Sequence, residues 1–235
     1  MISASHWDAK LLDAYDECPG VRTFRLTAPD GFHFLPGMWV MLHFPDAPKA
    51  ARAYSIASSP LEKGHIEITM GQVGDFSARF FDLKPGDSIA AKGPYGKWVF
   101  TENIKRAALV SGGTGITPFR SMARYAIAKG RHKGLSLFYS SKTPLDAIYK
   151  HELAEFSRAG IKVHHTITRA AGERWDGPTG RITTQLLESA LENFTSTHFF
   201  LCGPTKLVSD LVAGLRSRGI PEEQLHHEMW GDYQL

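Results

Sequence analysis

The sequence predicts two domains: a β domain of short antiparallel strands with one helix over residues 1–103, and an α/β parallel-sheet domain over 104–235. Three observations carry this. Six short stretches separated by turn signals fill the first hundred residues, which argues for an antiparallel barrel or sandwich. After Asn103, apolar runs alternate with helical patterns. Between a strand and a helix, Leu109-Val110-Ser111-Gly112-Gly113-Thr114-Gly115-Ile116-Thr117-Pro118 then packs three glycines into four residues.

The chain's 235 residues are enough to bury a core in each of two domains. With 43% apolar and 22% charged residues, the composition is that of a soluble globular protein. No apolar run approaches the ~20 residues of a membrane helix. The polar first ten residues have no signal-peptide core, so the expectation is a cytoplasmic protein without membrane partners. Cys18 and Cys202 are the only cysteines, too few for a disulfide framework or a self-contained iron–sulfur cluster. The 11 histidines show no metal spacing; no metal site is expected, and they read as surface or packing residues. A net charge of +3 does not argue for nucleic acid, but it is unevenly spread. Residues 1–103 hold 10 Lys and Arg against 12 Asp and Glu, while the remaining 17 and 12 make 104–235 basic. An anionic dinucleotide would favour that half; a solvated basic surface would look the same.

In the first domain the strands are expected at 8–15, 21–27, 38–44, 52–57, 65–70 and 88–92, with one helix over 75–83. Arg52-Ala53-Tyr54-Ser55 places a cation and an aromatic ring on one strand face, with a hydroxyl on the other. Arginine can fork onto a phosphate and tyrosine can stack on a flat ring; a half-exposed strand explains the same residues. Gly71-Gln72-Val73-Gly74-Asp75-Phe76-Ser77 ends a strand and opens the helix, with Ser77 in its first turn and Asp75 as its cap. Gly93-Pro94-Tyr95-Gly96 reads as a closing turn, and the domain boundary falls near 101–105.

In the second domain, strands at 107–111, 135–140, 161–168 and 198–201 alternate with helices at 118–129, 146–159, 183–193 and 205–218. Thr117 is placed to cap a helix whose first residue is Pro118, a position where proline loses nothing. Free N–H groups and the positive end of a helix dipole then converge on the glycine turn, which suits a pyrophosphate. Other strand ends should contribute in such a sheet. They supply Ser140-Ser141-Lys142, Thr168-Arg169 and Cys202-Gly203-Pro204. Lys142 and Arg169 could hold a ribose 2′-phosphate, or be ordinary surface charge. The glycine pattern is not the common dinucleotide fingerprint: Pro118 stands where the third glycine belongs, and no acid follows about 20 residues later.

Taken in order, these motifs resemble the ferredoxin–NADP reductase family, with the resemblance running from about Ala4 to Trp230. The resemblance implies a six-stranded antiparallel Greek-key β-barrel with one helix that binds FAD, followed by an NAD(P)-binding domain. It implies that Arg52 contacts flavin phosphate, Tyr54 packs on the ring and Ser55 sits near its reactive edge, with Ala53 in the same cofactor-binding motif where many relatives carry proline. Gly74, Asp75, Phe76 and Ser77 form the pyrophosphate turn that implies FAD rather than FMN. Gly112, Gly113, Thr114, Gly115, Thr117 and Pro118 form the pyridine-nucleotide loop, and Cys202, Gly203 and Pro204 complete its seat. Ser140, Lys142, Arg169 and Arg181 fall where NADP-preferring members carry polar and basic residues, although some NAD-preferring relatives share an arginine there. Ser55, Cys202 and Glu228 are the candidate catalytic residues, and Trp230 or Tyr233 the aromatic that covers the flavin.

The activity so implied passes hydride from NADPH or NADH to FAD, and electrons on to a separate acceptor, a ferredoxin-type or oxygenase protein. The alternatives are a free-flavin reductase and a flavin-binding electron-transfer subunit. A monomer or dimer is expected.

Overall fold

The computed structural model describes residues 2–170 and 174–230. The chain folds as two compact units, Met1–Thr101 with Thr117–Tyr125, and Glu102–Ile116 with Ala126–Leu235.

The first unit holds β1 (Ser5–Cys18), β2 (Val21–Thr27), β3 (Trp39–His43), β4 (Arg52–Ser55), β5 (His65–Gly71) and β6 (Ser88–Tyr95), with α1 (Gly74–Phe81) between the last two strands. The sheet order is β4-β3-β6-β1-β2-β5, and every pairing is antiparallel. An Ile56–Ile68 bridge and the Ala57 N–H, which donates to the Glu67 carbonyl at 2.7 Å, join the outer strands and close the barrel. Closure there occupies part of the two outer edges that could otherwise pair with another chain. The barrel interior collects Phe24, Leu26, Val40, Leu42, Ile66 and Ile68, and α1 adds Phe80, whose ring meets Phe24 edge-on at 4.8 Å. This is the Greek-key barrel with one helix that the resemblance implies.

Two strands run further than their sequence suggests. β1 pairs with β6 over Ser5–Lys10 and with β2 from Leu11 on, with a register irregularity between Leu11 and Asp13. That irregularity breaks the alternation and hides its length. β6 continues through Gly93-Pro94-Tyr95, because Ser5 pairs with Gly93 and Trp39 with Tyr95; these residues are strand, not a closing turn.

The second unit's sheet consists of β7 (Ala107–Gly112), β8 (Leu135–Ser141), β9 (Lys162–Ile167), β10 (His198–Pro204) and β11 (Leu225–Trp230). The helices of this half of the chain are α2 (Thr117–Ala128), α3 (Lys150–Ala159), α4 (Thr184–Ala190) and α5 (Thr205–Ser217). All five strands are parallel, in the order β11-β10-β7-β8-β9. The chain starts in the centre, builds outward through β8 and β9, then crosses back to β10 and β11. The topological switch point therefore lies between β7 and β10, where such sheets bind ligands outside their carboxyl ends. One face of this sheet packs Ala108, Val110, Phe138, Phe199 and Leu201 against Val208, Leu211, Val212 and Leu215 of α5.

The four strands expected from the sequence are β7 to β10; β11, Leu-His-His-Glu-Met-Trp, lacks an apolar run and gives no such signal. The helix expected from 146 begins at Lys150. Residues 144–146 form a separate turn, held by a reciprocal capping box of Thr143 and Asp146, and Tyr149 at φ +58° breaks the path between the two. Thr183 caps α4, its hydroxyl accepting from the Leu186 N–H at 3.2 Å. The helix ends at Ala190, short of 193. Several histidines are packing residues: His164 stacks on Phe138 at 4.5 Å and His226 on Phe200 at 4.4 Å.

Candidate functional site

In the first unit, β4 and the start of α1 meet. Tyr54 pairs in register with Val40, and its ring lies nearly parallel to Phe76 with centroids 6.0 Å apart. Burial pushes its phenol up to about 12, and the Arg52 charge offsets this only in part. Arg52 is exposed and donates to the Ala51 carbonyl at 3.0 Å. Ala53 is exposed opposite Met41. Ser55 falls on the other strand face opposite Trp39, whose ring contacts Tyr95 at 4.9 Å.

Gly74 starts α1 at φ +74°, a conformation that disfavours any side chain. The helix cap is Val73, not Asp75, which lies inside the first turn. The capping role passes to Ser77: its hydroxyl accepts from the Val73 N–H at 2.6 Å and donates to the Val73 carbonyl at 2.7 Å. That hydroxyl is committed to the turn, so the turn's capacity for an anion rests on the first-turn amides, Gly74, Asp75 and Phe76, which have no intrahelical acceptor.

In the second unit the glycine stretch is itself wound, as a 3₁₀ turn over Gly113–Ile116 that runs straight into α2. Thr117 is thus the first residue of α2 rather than its cap, with Pro118 behind it. The turn lies against the end of β10, backbone to backbone. A Cβ on Gly115 would overlap the Cys202 carbonyl and come within 2.9 Å of Gly203 Cα. One on Gly203 would stand 3.2 Å from the backbone of Gly112. Gly112 in turn packs under Leu207 and Pro204. Cys202 is buried, in register with Ser111 on one side and Glu228 on the other. The Glu228 carboxyl, half-buried at the end of β11, is pushed up to about 7 by desolvation. The backbone of Trp230 ends β11; its side chain, and Tyr233, lie outside the described residues.

The basic residues cluster at the carboxyl ends of β8 and β9. Arg169 N–H donates to the Lys142 carbonyl at 2.8 Å, and Thr168 N–H to the Ser141 carbonyl at 3.0 Å. Gly180 N–H returns to the Ile167 carbonyl at 2.8 Å, which sets Arg181 at the foot of the same loop. Lys142, Arg169 and Arg181 are exposed, and among the described residues none pairs with a carboxylate. Ser140 is in register with Gly112.

Two clusters lie beyond the sequence reading. His165 contacts Ser141 Oγ through Nε2 at 2.8 Å. Because that hydroxyl donates to the Thr143 carbonyl, it accepts from the imidazole, whose proton is therefore on Nε2. Burial, aided by the Lys150 charge, pushes His165 down to about 4, and the neutral ring packs between Tyr139 and Trp175. The second cluster, in the first unit, is an ion network. Glu67 accepts from Arg25 at 2.9 Å and from Arg120, and Arg120 also donates to the Tyr15 hydroxyl at 3.1 Å. Burial alone would raise the Glu67 carboxyl, but Arg120, Arg25 and Arg124 outweigh it and hold it below the ordinary range. Neither cluster has a local motif. The only sequence signal was Glu67 on the polar side of an alternating strand.

Two family models cover most of the chain: an oxidoreductase FAD-binding domain over residues 8–100 and an oxidoreductase NAD-binding domain over 109–212. Ferredoxin–NADP reductase B from Sorangium cellulosum is 30% identical over 247 aligned positions, which span 98% of this chain and 100% of that protein. A glycine betaine monooxygenase reductase subunit from Chromohalobacter salexigens is 31% identical over 90% of this chain, which spans 60% of that longer protein. Among solved structures, the ferredoxin reductase in carbazole 1,9a-dioxygenase superposes with a TM-score of 0.87 at 27% identity, covering 98% of this chain and 70% of that one.

The contact between the turn and β10 yields a direct test. Gly115→Ala is expected to lower unfolding stability by about 1–3 kcal/mol, as overpacking does in a site that cannot expand. Urea unfolding of the full chain measures this, and a variant as stable as the parent would show that the two backbones do not touch.

Proposed function

The chain belongs to the ferredoxin–NADP reductase family, and we propose that it uses FAD to take hydride from NADPH in preference to NADH, passing electrons to a separate ferredoxin-type or oxygenase protein. When bound, the flavin supplies the redox chemistry, accepting two electrons together and releasing them singly. What the chain's own residues do is hold phosphates, align rings and exclude water.

The residues present fit both cofactors. The observation that carries the reading is the backbone packing of Gly113–Ile116 on Cys202–Gly203 at the switch point. It brings two stretches of backbone together without intervening side chains, beside the amides that enter α2. In our reading this turn seats the nicotinamide nucleotide, with Thr114 and Cys202 flanking the ring and Glu228 beside it. Pro204, Thr117 and Pro118 fix the edges of the seat. The α1 amides of Gly74, Asp75 and Phe76 hold the flavin pyrophosphate, with Ser77 shaping the turn from behind. Arg52 takes a flavin phosphate, Ala53 leaves room beside it, Tyr54 packs on the ring and Ser55 lies near its reactive edge. The exposed cluster of Lys142, Arg169 and Arg181, with Ser140 nearby, supports a preference for the 2′-phosphate. A guanidinium and an ammonium held on adjacent loops by the Arg169–Lys142 backbone bond suit a dianion. Residues 1–103 are then the FAD-binding domain and 104–235 the NAD(P)-binding domain.

Anaerobic addition of NADPH to the purified flavoprotein is expected to bleach its visible absorption faster than NADH does. No bound flavin, and no bleaching of added FAD, would remove the proposal. A protein that releases FAD and turns it over as substrate would be a free-flavin reductase instead. The Lys142→Ala, Arg169→Ala double variant should raise KM for NADPH by about 10-fold or more while leaving KM for NADH within about twofold, since charge-assisted bonds contribute roughly 1.5–3 kcal/mol. Equal changes for both nucleotides would remove the reason for preferring NADPH.

Glu228 supplies a pH signature. A folded-state value of about 7, above the ordinary 4.5, means that folding takes up a proton between those two values. The stability this carboxyl lends is complete below 4.5 and is lost as the pH rises through 7. With Glu228 beside the nicotinamide seat, kcat/KM for NADPH should carry an apparent pKa near 7 that Glu228→Gln flattens. A profile unchanged by that substitution would assign the titration elsewhere.

A further inference from the structure

Residues 117–125 of α2 cluster with the barrel, and their attachment is polar and buried. Glu67 and Arg120 are each only 1% exposed. Arg120 spends one arm on Glu67 and the other on the Tyr15 hydroxyl at 3.1 Å. One residue on, Ser121 Oγ donates to the Ser58 carbonyl at 2.7 Å, and Ser58 Oγ in turn accepts from the Glu67 N–H at 3.0 Å. A turn later, Arg124 reaches Glu67 at 3.3 Å and Glu62 at 3.2 Å. Residues 120, 121 and 124 share one helix face, and each of the three is held by directional bonds.

A buried ion pair is a poor way to gain stability, because apolar side chains of similar volume usually do as well or better. What it supplies is a fixed length and direction. Sliding α2 along or around its axis by one residue would carry the buried Arg120 guanidinium away from Glu67, leaving Glu67 with Arg25 alone. No linker separates this helix from the glycine turn: Ile116 closes the turn and Thr117 opens α2. Any shift of α2 therefore moves the amides of the turn.

We infer that the Glu67–Arg120 pair is a positioning device for nucleotide binding, locking the register of α2 so that the glycine turn keeps the shape its ligand needs. The inference rests on the reading of that turn as the nucleotide seat. Neither residue touches the nucleotide; both act through the helix.

The test uses the full-length FAD-loaded protein. Glu67→Met combined with Arg120→Met removes both buried charges together, leaving Arg25 to solvent and Arg124 to Glu62. The expected result is a protein with the parent's flavin spectrum and an unfolding temperature no lower than the parent's. Its Kd for NADP⁺ by calorimetry and its KM for NADPH should rise about tenfold, the scale on which misplaced binding groups act, with kcat toward ferricyanide within about twofold. A stable, FAD-loaded double variant with the parent's Kd would overturn the inference. Should that variant not fold, Arg120→Lys keeps a charge against Glu67 but gives up the arm to Tyr15. A Kd raised about threefold there supports positioning, and the parent's Kd overturns it. If NADP⁺ does not bind the parent protein, it is the reading of the turn that fails, not the role of the pair.

Discussion

Gly115 and the Cys202 carbonyl leave no room between them for a methyl group, and much of the second unit follows from that contact. It requires the end of β10 to lie beside the end of β7, which only the reversal in strand order provides. It requires glycine at 115, and it is why Cys202 is followed by Gly203, whose own Cβ would press on Gly112. Two motifs separated by more than eighty residues are therefore one structural element. The glycines at 115 and 203 serve close approach of two backbones rather than flexibility.

The first unit applies the same principle with different residues. Gly74 at φ +74° turns the chain into α1, and Ser77 reaches back to Val73, fixing the turn from inside the helix. A serine in such a motif invites assignment as a phosphate ligand. Its hydrogen bonds here join it to Val73 at the start of the turn, with Asp75 left to interact favourably with the helix dipole rather than to cap.

What the sequence reveals follows the range of the physics involved. Glycine turns, a proline after them and the change from period-two strands to alternating strand and helix are local constraints, and both folds and both turns were legible from them. β11 was not, because Leu-His-His-Glu-Met-Trp has neither an apolar run nor clean alternation and becomes a strand only by pairing with β10. The true length of β1 was hidden by the irregularity at Leu11, where the strand passes from one partner to another. Thr117 and Asp75 looked like caps because their residue types favour that role. Their neighbours decided otherwise: a 3₁₀ turn already precedes Thr117, and Val73 already ends the extended chain before Asp75.

The Glu67 network marks the limit of local reasoning. Glu67 and Arg120 are 53 residues apart, and each sits in a segment that reads as half-polar surface. On the outer wall of a barrel, a strand with Thr23, Glu67 and Thr69 as its neighbours should face water, yet all three are buried. The contradiction resolves once residues 117–125 cover that wall, because the covering helix brings its own polar stripe. Polar residues on two surfaces, each expected to be solvated, satisfy one another instead. Such an arrangement has one correct register and many that leave a charge stranded, whereas an apolar contact of the same area would tolerate sliding. Specificity of placement, not added stability, is what distinguishes this wall from the apolar barrel interior behind it.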